Sequence, residues 1–427
     1  MTSILSVLAA FAIILIDLIG RAGLDKMLAL TGGPIMVALW AQLQSVVELV
    51  SAVALAGILQ GLTVLIAQVR DSRDERSLLR SALKLGLVTS LAVALIIAIC
   101  ASAFAARITQ GKIAADLFWL ATFAGCVTII PATLNAYWLG KHQQQRMLRL
   151  ALLASSVLLL IAAGAWFGLT LRELMWVQCV ALAIIGIAVW LHLRKLAHPD
   201  ENETDESGHL RKLARFVPVG LAIGILSPVS MLLVRGMLSG TLSWDEVGYL
   251  QVLWRSAEWV TATAAGVLSL IFLPRFSSAF DSNSGGSARF KTEIFRAGKL
   301  VLIPSACLLL LIFYNQRAML SMLYDARFAV SDETAALFML GSWVRIASWL
   351  FLFGLFAAHR TRLIMAGEVL SLPLYALLLW LFADGMTLER AALLYLASYL
   401  VYLVFTAASL LYSSHHSAIA RREAGLD

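Results

Sequence analysis

The chain has 427 residues, of which 60% are hydrophobic and only 14% charged. A soluble domain carries about 25% charged residues, so this composition excludes a water-soluble enzyme, a nucleic-acid-binding domain and a disulfide-stapled secreted fold. With a mean hydropathy of +0.85 the sequence reads as an all-α integral membrane protein, and its net charge of +7 reads as a topology signal.

A membrane helix needs about 20 apolar residues. Twelve runs qualify, at 3–31, 34–68, 78–106, 113–138, 147–170, 174–193, 213–240, 246–275, 292–314, 333–358, 362–383 and 389–412. The runs are continuous, not alternating, which excludes a β-barrel. Several exceed a minimal span and predict tilt or extension beyond the bilayer. No Lys or Arg precedes Arg21, so the first run lacks the cationic start of a cleaved signal peptide and is expected to remain a membrane helix.

An even number of spans puts both termini on one side. With the N-terminus cytoplasmic, the basic residues gather in the cytoplasmic connections: Arg70 to Arg80, Lys141 to Arg149, Arg194 to Arg215, Arg275 to Lys299, Arg360 with Arg362, and Arg421 with Arg422. The opposite side holds Arg107, Lys112, Arg172, Arg317, Arg327 and Arg390. This asymmetry predicts a multi-pass protein with both termini cytoplasmic.

The longest polar stretch, His198 to Lys212, is rich in Asp and Glu and reads as a flexible cytoplasmic linker. It predicts an N-terminal six-helix bundle at 1–196, a linker at 197–212, a C-terminal six-helix bundle at 213–414 and a tail at 415–427. The sequon Asn202-Glu203-Thr204 falls in that linker, where glycosylation is not expected. Lys26 and Arg235 sit at matching places in spans 1 and 7, and Gln42 and Gln251 share their offset of 209 residues. Two similarly oriented halves are a transporter signature.

The extracytoplasmic loops are short, the largest covering about 315–332, and leave no room for an outer catalytic domain. A GxxxxGK[ST] phosphate loop is absent, and His and Cys show no metal-ligand spacing. Cys100, Cys126, Cys179 and Cys307 lie in apolar runs and read as packing residues; His415 and His416 read as solvated. The expectation is no enzyme, no cofactor and no metal.

The informative residues are charges within spans, each costing about 2.5–3.5 kcal/mol at a helix centre on insertion scales. The cations are Arg21, Lys26, Arg235, Arg255 and Arg345; the acids are Asp17, Asp25, Glu48, Glu258 and Glu368. Asp17, Arg21 and Asp25 fall at i, i+4, i+8, and Arg255 and Glu258 at i, i+3. These pairs either neutralise one another and fix packing, or serve a ligand. Lys26, Arg235 and Arg345 have no opposite charge at helical spacing and are the candidates for an anionic ligand, since Arg can donate bidentately to phosphate. Pro131, Pro218, Pro228, Pro304 and Pro373 predict bends, whether hinges or passive kinks. Trp119, Trp138, Trp166, Trp176, Trp244 and Trp343 lie near predicted ends, mostly as interfacial anchors. Trp254, Trp259 and Trp349 lie deeper, in core or lipid contact or stacked on sugars.

Two stretches carry a family resemblance. Asp25 to Gln68 (DKMLALTGGPIMVALWAQLQSVVELVSAVALAGILQGLTVLIAQ) and Arg235 to Phe276, with the core SWDEVGYLQVLWRSAEW from Ser243 to Trp259 and LPRF from Leu273 to Phe276, resemble the multidrug/oligosaccharidyl-lipid/polysaccharide (MOP) exporter superfamily. Within it, they resemble the Wzx flippases of O-antigen and enterobacterial common antigen assembly. Lys26 and Arg235 fall where common-antigen flippases are basic, and Arg345 where they have lysine. Arg21, Asp25, Arg255 and Glu258 do not match the family, so their role rests on spacing. The resemblance implies two six-helix bundles around a central cavity in the bacterial inner membrane. It implies a flippase moving undecaprenyl-diphosphate-linked oligosaccharide to the periplasmic leaflet by alternating access. Lys26, Arg235, Arg345, Arg21 and Arg255 would bind substrate, with Glu48, Glu258, Asp25, Glu368 and Asp17 as coupling or cavity acids. The implied partners are the lipid-linked glycan, membrane lipid, a polysaccharide polymerase and a chain-length regulator, without nucleic acid. Two rivals stand beside it. One is a cation-coupled multidrug exporter of the same superfamily, using Asp17, Glu48, Glu258 and Glu368. The other is a membrane glycan polymerase or ligase, which the short loops disfavour.

Overall fold

The computed structural model is all-helical and describes residues 4–69, 71–141, 143–196, 206–215, 217–281, 286–324, 328, 330–358 and 360–423. Helices satisfy every backbone group within the segment, as a lipid environment requires. Among the described residues, ten helical stretches are long and apolar enough to cross a membrane. One of them, Leu15–Ala54, holds the first two predicted spans, within the longer helix α1 (Ile4–Ala54). In a straight helix Arg21 and Glu48 would stand about 40 Å apart. They form an ion pair at 3.7 Å. The chain therefore folds back within α1, at Gly33 (φ 69, ψ −165), in a backbone region open essentially to glycine alone. Pro34 then starts the second half.

The remaining predicted spans each lie on helix. Span 2 continues as α2 (Ile58–Gln68), and span 3 is α3 (Ser72–Ile108). Span 4 is α4 (Ala115–Val127) with α5 (Ile129–Gly140); spans 5 and 6 are α6 (Gln144–Trp166) and α7 (Leu171–Leu196). A short helix α8 (Glu206–Ala214) precedes span 7, α9 (Val217–Thr241). Span 8 runs through α10 (Trp244–Val267), a π-helical segment (Leu268–Phe272) and α11 (Leu273–Asp281). Span 9 is α12 (Gly286–Tyr314), followed by the short α13 (Gln316–Leu323); span 10 is α14 (Asp332–Ala357). Span 11 is α15 (Thr361–Val369) with α16 (Leu372–Leu381), and span 12 is α17 (Leu388–Glu423).

Three expectations are corrected. Span 3 starts six residues earlier than read, because Asp71 accepts from the Arg73 amide at 3.0 Å and Asp74 and Glu75 complement the first turn. The linker is helical over its second part, α8: Leu213 is fully buried, and His209 is buried with Nε2 3.7 Å from Asp74 Oδ1. Residues 197–205, including the sequon, lie outside the described residues. The last helix runs on to Glu423, into the expected tail, while the side chains of His415 and His416 lie outside the described residues.

Spans break where hydroxyls stand ready to accept or replace backbone bonds. Thr89 donates to the Ala54 carbonyl at 2.6 Å, beside the turn at Gly57 (φ 67). Thr128, between α4 and α5, donates to the Gly125 carbonyl at 2.6 Å and lies 2.6 Å from the Ser51 hydroxyl. Ser371, between α15 and α16, donates to the Glu368 carbonyl at 2.7 Å. Of the proline positions, Pro131 sits in the first turn of α5 and Pro373 at the start of α16, whereas Pro228 and Pro304 lie inside continuous helices.

The chain divides into two compact units, Met1–Gly240 and Thr241–Asp427. The division falls after α9, not at 197–212, because α9 is tied into the first unit. Gln42 Nε2 donates to the Leu232 carbonyl at 3.2 Å. At Gly220 a Cβ would overlap the Gly57 backbone, so only glycine allows that approach. All four cysteines are free; Cys179 is buried and Cys100 and Cys126 half-buried, whereas Cys307, read as a packing residue, is exposed.

Candidate functional site

In the first unit the charges and amides gather on α1, α7 and α9. Arg21 Nε donates to Asp17 Oδ2 at 2.9 Å, as the i, i+4 spacing predicts, and reaches Glu48 across the hairpin. All three side chains keep substantial exposure within the protein. Such a triad inside hydrocarbon needs water or a polar ligand beside it. Asp25 is buried on the same helix and Lys26 half-buried. Behind them Gln44 and Gln178 exchange side-chain bonds at 2.9 and 3.1 Å, joining α1 to α7. Arg235 is buried, and its Nη1 donates to Ser45 Oγ at 2.6 Å and to the Ala41 carbonyl at 3.1 Å. One guanidinium nitrogen thus ties α9 to the second half of α1.

In the second unit Arg255 Nη1 donates to Glu258 Oε2 at 2.6 Å, again as the i, i+3 spacing predicts. Arg345 on α14 is boxed by rings: its guanidinium carbon lies 4.7 Å from the Trp349 centroid, 5.6 Å from Tyr399 and 5.7 Å from Trp254. Cation–π contact of this kind holds a charge in low-dielectric surroundings. Its Nε is buried without a hydrogen-bond partner, and Glu258 and Glu368 act on it from farther off. Glu368 accepts from the Tyr402 hydroxyl at 3.3 Å.

A tyrosine ladder runs beside Arg345. Tyr395 stacks on Phe338 at 4.6 Å and 9°, meets Trp254 at 5.2 Å and Tyr399 at 4.9 Å, and Tyr399 meets Tyr402 at 6.1 Å. Tyr375 closes on Tyr395 at 5.5 Å, its hydroxyl buried without a partner. The sequence reading missed these tyrosines. Their signal was present: Tyr395, Tyr399 and Tyr402 recur at i, i+4, i+7 and share one face of α17.

The structure thus places Asp17, Arg21 and Glu48 together, and Arg255 with Glu258. It sets Arg345 among Trp254 and Trp349, which were read as core, lipid or sugar contacts. Trp119, Trp166 and Trp176 are exposed, in keeping with anchors. Trp138 and Trp244 are buried instead, and Trp343 donates to the Leu302 carbonyl at 3.0 Å. Proximity to a helix end does not distinguish an indole facing lipid from one facing a neighbouring helix.

No family model matches the chain. A lipid III flippase from Escherichia coli K12 is 23% identical over 403 residues, covering 88% of this chain and 90% of its own. The lipid III flippase of Shigella flexneri matches with the same figures. Among solved structures, an inward-facing multidrug resistance MATE family transporter of the MOP superfamily aligns with a TM-score of 0.72 at 10% identity, over 96% of this chain and 95% of that one. The lipid II flippase MurJ, in its inward closed conformation, aligns with a TM-score of 0.69 at 14% identity, over 98% and 91%. The chain shares the fold of these two structures. The charged sets above lie within the predicted spans, and α8 and α13 are short helices between spans.

Proposed function

We propose that this protein is a flippase for a lipid-linked glycan. It moves an undecaprenyl-diphosphate-linked oligosaccharide, an O-antigen or related surface-polysaccharide repeat unit, from the cytoplasmic to the periplasmic leaflet of the bacterial inner membrane by alternating access. Both termini face the cytoplasm, and the two compact units, Met1–Gly240 and Thr241–Asp427, are its moving halves. Lys26, Arg235 and Arg345, with Arg21 and Arg255, receive the diphosphate or acidic groups of the glycan. Asp17, Asp25, Glu48, Glu258 and Glu368 line the polar path or carry a coupling ion. A polymerase and a chain-length regulator take over the flipped unit.

The observation that carries this reading is the set of arginines and lysine held inside spans of both units. Diphosphate and sugars cannot enter hydrocarbon without replacement of their hydration. Fixed guanidinium groups supply that replacement, and their planar fork suits phosphate oxygens. The named function of the E. coli relative, along 88% of this chain, supports it.

The test replaces Lys26, Arg235 and Arg345 singly by alanine, with membrane levels measured alongside. Loss of surface glycan at normal membrane level is expected. Normal glycan in all three variants overturns the site. The MATE likeness and the Tyr402-held Glu368 favour a second reading, a cation-coupled drug exporter. Altered drug susceptibility with intact glycan in a deletion strain selects it.

A further inference from the structure

In the second unit Arg345 and Trp349 stand four residues apart on α14, so the guanidinium lies over an indole of its own helix, 4.7 Å from the ring centroid. Trp254 of α10 and Tyr399 of α17 close the box at 5.7 and 5.6 Å. Tyr399 is a buried floor, whereas Trp254 and Trp349 are half-buried and leave the box partly open. Phe338 and Tyr395 back the Trp254 ring at 5.6 and 5.2 Å and hold it in place. Arg345 is held there by ring faces more than by directional bonds: its Nε has no hydrogen-bond partner, and the hydroxyl in reach is that of Tyr395. A guanidinium held in this way can leave the rings for a phosphate, because charge-assisted bidentate bonds replace what it gives up.

We propose that Trp349 and Trp254 form a stacking platform for a pyranose ring of the substrate, which Arg345 covers at rest and clears by moving onto the diphosphate; the inference rests on the flippase reading. Mutual exclusion follows from the distances. A ring stacked on an indole needs the space about 4–5 Å above it, and the guanidinium carbon already stands at 4.7 Å. Sugar and guanidinium therefore occupy the Trp349 face in turn. The chemistry of the faces selects the occupant. An indole face is negative at its centre, and a pyranose offers it a flat set of slightly positive C–H groups while its hydroxyls point outward to polar partners. Glu258 stands one turn along α10 from Trp254, half-buried and tied to Arg255 at 2.6 Å, where it can accept from such hydroxyls. A cationic guest would suit bare rings as well, but Arg345 stays tethered within one side-chain length of them and repels a second cation. The order of events follows. The diphosphate draws Arg345 away, and only then is the platform open, so a glycan without diphosphate meets a closed box.

Isothermal titration calorimetry of the full chain in detergent tests this. The probes are farnesyl diphosphate, farnesyl diphosphate carrying N-acetylglucosamine, and farnesyl N-acetylglucosaminide without phosphate. Wild-type protein is expected to bind the sugar-bearing diphosphate about two- to tenfold more tightly than farnesyl diphosphate, the worth of one ring contact, and the phosphate-free glycoside more weakly than either. Trp349→Leu should lose that increment yet bind farnesyl diphosphate at least as tightly as wild type, because Arg345 no longer has to leave a ring. A purely structural tryptophan would instead weaken both diphosphates together. Trp380→Leu, which removes an exposed indole on α16 outside the box, should keep both affinities. Equal affinity of wild type for the two diphosphates overturns the platform, as does an increment that survives Trp349→Leu or is lost in Trp380→Leu, or a Trp349→Leu variant that weakens both diphosphates alike. Wild type that binds neither diphosphate marks the failure of the flippase reading itself, and the platform falls with it.

Discussion

Arg345 shows how a single side chain can hold a charge in a membrane protein without an ion pair in contact. Trp254, Trp349 and Tyr399 face its guanidinium, and each such contact is worth about 0.5–2 kcal/mol when desolvated. Arg345→Lys keeps the charge but loses the planar stacking surface. It should lower stability by about 1–2 kcal/mol in denaturant unfolding, with Trp349→Ala giving a similar loss; an unchanged midpoint in both removes the ring box from the account. Arg235 differs, since its Nη1 is spent on Ser45 and Ala41. At the membrane edge, Lys141 pairs with Glu75, which also accepts from Tyr137 at 3.4 Å. The bond with Glu75 raises the Lys141 ammonium above the ordinary lysine value. A raised base stabilises the fold fully below its unfolded value, about 10.4, and loses that contribution as pH climbs through the folded value. Glu75→Gln should therefore cost about 1 kcal/mol at neutral pH, a partly screened pair. That gap to wild type, read by thermal unfolding, should close only in strong alkali. Sequence spacing found the Asp17–Arg21 and Arg255–Glu258 pairs because helix geometry alone sets them. It could not find Glu48 beside Arg21, or the rings around Arg345, because those contacts join distant segments.

At the scale of elements, breaks in the helices are the legible and the illegible together. The Thr31-Gly32-Gly33-Pro34 sequence marks a boundary between two apolar runs, and the chain does reverse there. Gly33→Ala places a Cβ in a backbone region costing about 1–3 kcal/mol. Lowered yield and unfolding temperature are expected, and a neutral result would contradict the hairpin. The breaks at 55–57, at Thr128 and at Leu370–Ser371 carry no comparable warning, for hydropathy runs straight through them. They depend on hydroxyls, including Thr89 of a neighbouring helix. Thr89→Val leaves the Ala54 carbonyl without that donor and should cost about 0.6–1.7 kcal/mol, the range for side-chain bonds between membrane helices. Thr89→Ser should restore most of it. The linker was misread for a related reason. Charge predicts solvation, but Leu213 and His209 give α8 a side to bury.

For the whole molecule, the twelve apolar runs and their layout were readable because lipid forces each span into helix. The boundary between compact units was not, since α9 joins the first unit through Gln42, Arg235 and a glycine contact that no local pattern announces. The central claim concerns what crosses the membrane, and one measurement addresses it directly: the leaflet location of the lipid-linked glycan in cells lacking this protein. The flippase account predicts that the precursor accumulates on the cytoplasmic face and returns to the periplasmic face when the wild-type chain is supplied. A precursor that reaches the periplasmic face at normal rate without the protein would contradict it.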